Sequence, residues 1–119
     1  MDASFSRRKL VTPAELKALN TRSNLWGAVQ MASHLGAIVL AGYLHSLALG
    51  TAWVWLTGCV LGVLLNFLYA AQHELSHATV FATRGVNVLF GRLIGFVMIF
   101  PRDYDQVMHF AHHTHTQDW

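Results

Sequence analysis

The sequence predicts an all-α integral-membrane protein, consisting of a transmembrane helical hairpin followed by interfacial helices. Hydrophobic residues make up 54% of the 119-residue chain and charged residues only 12%, whereas about a quarter of the residues in a typical soluble domain are charged. No Lys, Arg, Asp or Glu occurs in the 51 residues from Ser23 to His73. Because a bilayer crossing needs about 20 apolar residues, this stretch is long enough for two crossings and a short connection.

Residues 1–22 are polar and basic, and we expect a cytoplasmic lead-in that contains one short helix. Thr12 is suited to cap the N-terminus of this helix, and Glu15 stands at the position that completes a capping box. The helix should end near Asn20. The membrane domain is expected in the remainder of the chain, residues 23–119.

Two crossings are predicted, at about residues 25–44 and 52–71, with residues 45–51 as a short uncharged turn between them. All eight Lys and Arg residues lie outside the two crossings. Since two crossings return the chain to its starting side, every cation lies on one side of the membrane, which the positive-inside rule identifies as the cytoplasm. The cations are Arg7, Arg8, Lys9, Lys17 and Arg22 before the crossings, and Arg84, Arg92 and Arg102 after them.

A few polar residues interrupt the crossings. Gln30, His34 and Asn66 are expected to face the interior of the helix bundle and to form hydrogen bonds between helices, with lining of a substrate or metal cavity as the alternative. His34 and His45 are isolated histidines, for which a structural role is expected. Cys59 is the single cysteine, so a disulfide within the chain and a cysteine-based zinc site are excluded.

The segment from Val86 to Phe100 is apolar but does not qualify as a third crossing. Arg92 interrupts it, and the uninterrupted apolar run that follows is too short to span a bilayer. An interfacial or half-buried helix fits this pattern, and Pro101 is expected to end it.

Six of the eight histidines fall in two clusters, both on the predicted cytoplasmic side. The first cluster continues the second crossing as a helix, and its i, i+4 spacing places His73 and His77 on one helix face. In the second cluster, His112 and His113 follow His109 at i+3 and i+4, so a helix would again present them together. Neutral imidazole is a common ligand for iron, zinc and copper. Five imidazoles exceed what one tetrahedral ion uses, which favours more than one metal ion.

Two other interpretations compete with a multi-metal site. A histidine-rich segment can be a solvated polar tail, and a single pair of histidines at this spacing is common. The first cluster also matches the zinc-peptidase pattern HExxH, in which His73 and His77 would bind zinc and Glu74 would act as general base. That pattern does not require a second histidine cluster, so the presence of residues 109–113 weighs against the peptidase.

The two clusters together resemble the histidine boxes of the membrane fatty acid desaturase and hydroxylase family. His73–His77 matches the first box, HxxxH, directly after a transmembrane helix, and His109–His113 matches the second box, HxxHH, beyond an apolar interfacial segment. The resemblance covers residues 25–119. The flanks agree as well: Ala78-Thr79-Val80-Phe81 with Arg84 and Asn87 after the first box, and Thr116-Gln117-Asp118 after the second.

This resemblance implies a cytoplasm-facing di-iron centre that uses O2 to remove hydrogens from the acyl chain of a lipid substrate. Glu74 would orient the ligands, and His115 has no place in the motif. A separate electron donor of the ferredoxin or cytochrome type would be required, and no nucleic-acid partner is expected. The implied iron ligands are His73, His77, His109, His112 and His113.

The family has a third histidine box after two further crossings, and the sequence contains neither up to Trp119. We therefore expect an N-terminal fragment with an incomplete desaturase-type fold, inactive as an isolated chain. Three alternatives stay open: a related membrane hydroxylase or ketolase, the membrane zinc metallopeptidase, and a non-catalytic membrane remnant. The sequence does not distinguish among lipid substrates or positions of attack.

Overall fold

The computed structural model describes residues 12–115, and every regular element among them is an α-helix. Residues 1–11, which include Arg7, Arg8 and Lys9, and residues 116–119, which include the flank of the second box, lie outside the described residues. The predicted all-α membrane class is confirmed. The helices are α1 (Pro13–Leu19), α2 (Asn24–Ala48), α3 (Trp53–Ser76), α4 (Arg84–Val97) and α5 (Arg102–His115).

Helix α1 begins with the capping box that the sequence predicts. The Thr12 hydroxyl accepts a hydrogen bond from the Glu15 backbone N–H at 3.2 Å, and the Glu15 carboxylate accepts one from the Thr12 backbone N–H at 2.7 Å. These bonds satisfy donors that a helix N-terminus otherwise leaves unpaired. None of the residues of α1 is buried, so this helix adds nothing to the core.

Helices α2 and α3 form the predicted hairpin, and both are long and apolar enough to cross a membrane. The shorter, α3, has 24 residues, which at about 1.5 Å per residue spans roughly 36 Å, more than the roughly 30 Å hydrocarbon core of a bilayer. Large apolar side chains project outward, with Val39 72% and Trp55 80% exposed. Such an apolar surface suits contact with lipid, because side chains that face the hydrocarbon core of a bilayer are not exposed to water.

The turn of the hairpin is shorter than predicted, because α2 continues to Ala48. No residue in the predicted turn disfavours a helix before Gly50, which has a left-handed φ of 80° that glycine adopts readily. His45 therefore lies inside α2, and its Nδ1 is 3.0 Å from the Thr57 hydroxyl oxygen on α3. His34 Nε2 donates to the Leu64 carbonyl at 3.1 Å. Both isolated histidines thus join the two long helices.

The hydrogen bonds between helices that were predicted for two other polar residues of the crossings are not formed among the described residues. Asn66 on α3 is exposed, and Gln30 on α2 is exposed toward a cavity between the two helices. Because these helices are apolar on most of their circumference, hydrophobic periodicity did not identify which face packs against the partner helix.

The core lies at one end of the hairpin, where α2 begins and α3 ends; we call this the histidine end. Its buried apolar residues come from α2, α3, α4 and the segment before α4. Asn87 is fully buried in α4, where it accepts from the Phe81 N–H at 3.0 Å and donates to the Phe81 carbonyl at 2.8 Å. These two bonds fix the segment that connects α3 to α4. The core residues are Met31, Leu68, Leu75, Phe81 and Ile94.

Helix α4 ends earlier than the predicted Pro101, at Val97. Ile99 then takes a left-handed φ of 55°, and α5 leaves at an angle of 105° to α4. By length and composition, this bent pair could also be a broken span or a re-entrant loop. The interfacial position of the segment stays a prediction.

Candidate metal centre

The first histidine cluster is helical, as predicted. Helix α3 runs without interruption to Ser76, and His77 is its C-terminal cap. The imidazoles of His73 and His77 therefore project from one face of the helix, with ring centroids 5.0 Å apart.

Helix α5 brings a third imidazole to this pair. Ligand nitrogens of His73, His77 and His109 all lie within 4.8 Å of one another, and each of the three residues is half-buried. The Gln106 side chain holds α5 in place, because its Nε2 donates to the Ser76 carbonyl at 3.2 Å, about one helical turn before His109. Two separate helices thus supply one cluster, which sequence spacing alone did not establish.

His109 lies at the centre of the cluster. Its Nε2 is 2.7 Å from Nε2 of His77 and 2.9 Å from Nε2 of His113. An imidazole nitrogen carries either one hydrogen or one lone pair, so a single Nε2 is poorly suited to two simultaneous hydrogen bonds. Lone pairs directed at a cation would remove this conflict, and the nitrogens that lie close enough together for one ion are those of His73, His77 and His109. The donor set therefore fits a metal ion better than it fits a hydrogen-bonded cluster.

The spacing of the nitrogens is close to that of a coordinated set. With metal–nitrogen bonds of about 2.1 Å, two nitrogens on one ion are about 3.0–3.4 Å apart. The 2.7 Å separation between the His109 and His77 nitrogens is a few tenths of an ångström shorter, which small rotations of the two rings can accommodate. Imidazole-only coordination suits iron, zinc and copper alike.

The remaining histidines of α5 lie further out. His112 is exposed and outside the group of three, with its ring centroid 6.1 Å from that of His113. His115 is also exposed, and its Nδ1 donates to the Ala111 carbonyl at 2.9 Å. The ligand role of His112 stays a prediction, and no role is assigned to His115.

The electrostatic surroundings favour the neutral form of His109. Burial, followed by the neighbouring imidazoles of His73, His113 and His77, lowers the pKa of His109 from its ordinary value of 6.5, while Asp105 acts in the opposite direction. Since metals bind the deprotonated nitrogen, the lowered pKa keeps this residue in its metal-binding form at neutral pH.

Glu74 lies on a different face of α3 from the histidines on either side of it. Its carboxylate accepts a hydrogen bond from the Thr79 hydroxyl at 2.7 Å. Glu74 also lines a cavity of about 430 Å³ between α2 and α3. The predicted orientation of the metal ligands by Glu74 is therefore not visible as a contact with an imidazole, and it stays a prediction.

The cavity beside Glu74 extends from the histidine end into the hairpin. Its walls are mainly apolar, and the polar groups that line it include Gln30 and His34. The alternative interpretation of these two residues, as cavity-lining groups, thus agrees with the structure. None of His73, His77 and His109 lines this cavity, and Glu74 is the lining residue adjacent in sequence to the cluster.

Sequence reasoning missed one acidic group beside the cluster. Asp105 is only 5% exposed and precedes His109 by four residues on α5, so the two side chains share a helix face. This i, i+4 spacing in the sequence could have indicated that a carboxylate lies beside His109. Its carboxylate raises the pKa of His109, which partly offsets the effect of burial.

Comparisons with known proteins agree with the geometry. The family model described as fatty acid desaturase matches residues 50–119, a range that contains α3 and both histidine clusters. No curated protein matches the chain, and neither does any solved structure.

Proposed function

Because the chain belongs to the fatty acid desaturase family, we propose that it serves an oxygen-dependent, di-iron desaturation of a lipid acyl chain. The observation that carries this proposal is the convergence of His73 and His77 on α3 with His109 on α5, within 4.8 Å at one end of the hairpin. Fatty acid desaturases are oxidoreductases of membranes, and the two long apolar helices of this chain suit that setting.

The iron ligands we propose are the five histidines of the two clusters. His73, His77 and His109 form the core of the set, and His113 adjoins it through His109. His112 would join this ligand set after a change of its side-chain rotamer, because it lies on α5, the helix that also carries His109 and His113. When bound, iron supplies the activation of O2 and the oxidising power needed to remove hydrogen from an unactivated carbon. Imidazole ligands suit this task because they resist oxidation better than thiolates do.

The chain itself would hold the substrate and limit access of water. The 430 Å³ cavity between α2 and α3 can hold part of an acyl chain between apolar walls, with Glu74 at the end nearest the histidines. His34, bonded to the Leu64 carbonyl, would fix the spacing of the two helices along this cavity. The walls would thus position the carbon to be attacked.

The proposed orientation places the histidine end in the cytoplasm. Arg22, Arg84 and Arg102 lie at this end, whereas residues 23–73 contain no cation except histidine, which agrees with the positive-inside rule. An electron donor of the ferredoxin or cytochrome type would then reach the cluster from the aqueous side, where His112 and His113 are exposed.

The zinc peptidase alternative has less support than desaturation. A peptidase would use the carboxylate of Glu74 as its general base, but that carboxylate is engaged by the Thr79 hydroxyl. The match to the desaturase family also spans both histidine clusters, and the peptidase pattern leaves the second cluster unused.

Analysis of cellular lipids tests the proposed reaction. The complete open reading frame that contains these residues is expressed in a host with a simple fatty acid profile, and fatty acid methyl esters are analysed by gas chromatography with mass spectrometry. We expect an O2-dependent increase in unsaturated chains that disappears in the double variant His73→Ala, His77→Ala. His45→Gln, at the far end of the hairpin, is the matched control and should retain activity. Unchanged lipids with one tightly bound zinc per chain would contradict the proposal.

A further inference from the structure

A second cavity lies on the other side of the histidine cluster, among α3, α4 and α5. Its volume is about 350 Å³, and polar atoms form most of its lining. Three arginines reach it from three different parts of the chain: Arg22 before α2, Arg84 at the start of α4 and Arg102 at the start of α5. No Asp or Glu is among the residues that line it.

Arg102 is held in an unusual position for a cation. Its side chain is only 7% exposed, and it lies against α4 where Gly91 and Gly95 leave space. A Cβ atom at Gly91 would lie 3.1 Å from Arg102 Cδ, and one at Gly95 would lie 2.9 Å from the Arg102 backbone nitrogen. Two glycines one helical turn apart thus leave room for the Arg102 side chain beside α4.

The buried arginine is not fully paired within the described residues. Its Nη1 donates to Asp103 at 2.9 Å, but its Nε is buried without an acceptor. Ser76, which lines the same cavity and is 3% exposed, likewise has a hydroxyl without a partner. Buried donors without acceptors are costly and rare in folded proteins, so Arg102 Nε and Ser76 Oγ are two polar groups at the wall of this cavity that the described residues leave unsatisfied.

Membrane topology explains only part of this arrangement. The positive-inside rule accounts for arginines at the histidine end of the chain, but it does not require that three of them converge on one cavity. Nor does it account for the burial of Arg102, since a topological signal acts equally well from an exposed position. The convergence therefore needs a separate explanation.

We propose that this cavity binds an oxyanion group, a phosphate or a carboxylate, carried by a lipid. Guanidinium groups form strong, directional bonds with both kinds of oxyanion. Ser76 and Gln106 add polar side chains at the wall, where one N–H of Gln106 is already bonded to the Ser76 carbonyl. His77 belongs to both the cavity and the histidine cluster, so a lipid held here by its anionic group would lie next to the proposed iron site. This assignment rests on the proposed function, because it takes the bound lipid to be the substrate and its anionic group to be the part that the arginines recognise.

Binding of a soluble short-chain lipid tests the proposal independently of catalysis. The full chain is purified in a neutral detergent and titrated by calorimetry, after metal removal, with dihexanoyl phosphatidic acid, dihexanoyl phosphatidylcholine or inorganic phosphate. We expect the phosphatidic acid to bind and Arg84→Gln to weaken its binding about tenfold, as loss of one charge-assisted hydrogen bond would. Arg92→Gln removes the same charge from the same helix outside the cavity, and it should alter binding less than about twofold.

The outcomes separate the cavity from the proposed reaction. Arg22→Gln and Arg84→Gln change exposed residues, so they should fold even where Arg102→Gln does not. Weakened lipid binding with unchanged metal content in these variants supports the proposal, whether or not the protein proves to be a desaturase. Equal affinities of Arg84→Gln and Arg92→Gln, or no binding of phosphatidic acid at all, would overturn it. Inorganic phosphate binding as tightly as the lipid would overturn the assignment to a lipid in favour of a free phosphate.

Discussion

The two ends of the α2–α3 hairpin differ in what they bury. Around the turn, large apolar side chains are exposed, with Leu49 63%, Trp53 67% and Trp55 80% exposed. At the histidine end some large apolar side chains are exposed as well, such as Trp26 at 72% and Ile99 at 91%, but apolar and polar side chains are also buried together there. The buried polar residues of the described chain are Gln72, Ser76, Asn87, Arg102 and Asp105.

This difference follows from the solvent expected at each end. Lipid surrounds the turn half of the hairpin, so apolar surface there has no driving force to be buried, and helix contact depends on shape and on a few hydrogen bonds. The histidine end adds α4, α5 and the segment between α3 and α4, which together enclose polar groups that would be costly if unpaired. Tight packing is thus concentrated where side chains must be held in place.

The largest difference in stability is expected for asparagine substitutions. Asn87→Ala removes the buried amide that binds both backbone groups of Phe81, and it should lower the free energy of unfolding by about 2–4 kcal/mol because those groups lose their partners. Asn66→Ala changes an exposed residue, and it should alter the same free energy by less than about 0.5 kcal/mol. Unfolding in detergent, followed by circular dichroism, measures both; equal effects would contradict the concentration of packing at the histidine end.

Glycine substitutions should also destabilise the histidine end more than the rest of the hairpin, but the difference in the free energy of unfolding should be smaller. A Cβ atom at Gly27, where α2 meets the segment before α4, would lie 2.5 Å from the Val80 carbonyl oxygen, whereas nothing lies within 4 Å of one at Gly62 on α3. Gly27→Ala should therefore cost about 1–3 kcal/mol of stability through overpacking. Gly62→Ala should be neutral or slightly stabilising, because alanine favours the helix. The same unfolding measurement checks both, and a Gly27→Ala variant as stable as the wild type would show that this contact is not tight.

The pH dependence of stability should contain a contribution from His109. Its pKa in the folded protein is lowered from 6.5, first by burial and then by the imidazoles of His73, His113 and His77. A depressed pKa means that the folded state resists protonation, so this contribution is fully present above pH 6.5 and is lost as the pH falls through the folded pKa. Melting temperatures of the metal-free protein, measured from pH 8 downward on the wild type and on His109→Gln, should diverge below about pH 6.5. Parallel curves for the two proteins would contradict this prediction.

The smallest effect is expected at the exposed lead-in helix. Thr12→Ala removes the hydroxyl that accepts from Glu15 N–H, which should destabilise α1 locally by about 1 kcal/mol. Since no residue of α1 is buried, amide hydrogen exchange should accelerate in residues 14–19 and stay unchanged in α3. Faster exchange in α3 would show that α1 supports the core after all.

Sequence predicted those parts of the fold that depend on local chemistry. The charge-free stretch predicted the hairpin, and the Thr12–Glu15 spacing predicted the capping box. The absence of a helix breaker before His77 predicted that the first histidine cluster is helical. Each of these signals acts within a few residues or through the overall solvent preference of a segment, so each is readable without tertiary contacts.

What sequence did not predict depends on contacts between distant segments. The return of α5 to α3 follows from the left-handed turn at Ile99 and from the space that Gly91 and Gly95 leave for Arg102, neither of which a periodic pattern encodes. The outward orientation of Asn66 was missed for a related reason, because a helix that is apolar all round does not reveal its packed face. The histidines of the cluster could thus be identified from the sequence, but the sequence did not show which of them lie close together in the fold.

The most direct test of the proposed metal centre is the metal content of His109→Ala, since His109 is the residue that joins the two helices at the cluster. The wild-type chain, His109→Ala and the exposed-histidine control His115→Ala are purified in detergent without chelators, supplied with ferrous iron under anaerobic conditions, and analysed by elemental mass spectrometry. We predict iron bound to the wild type and to His115→Ala, and an affinity at least about tenfold weaker in His109→Ala, as the loss of a ligand requires. Equal iron binding by His109→Ala and the wild type would contradict a centre built from α3 and α5 together.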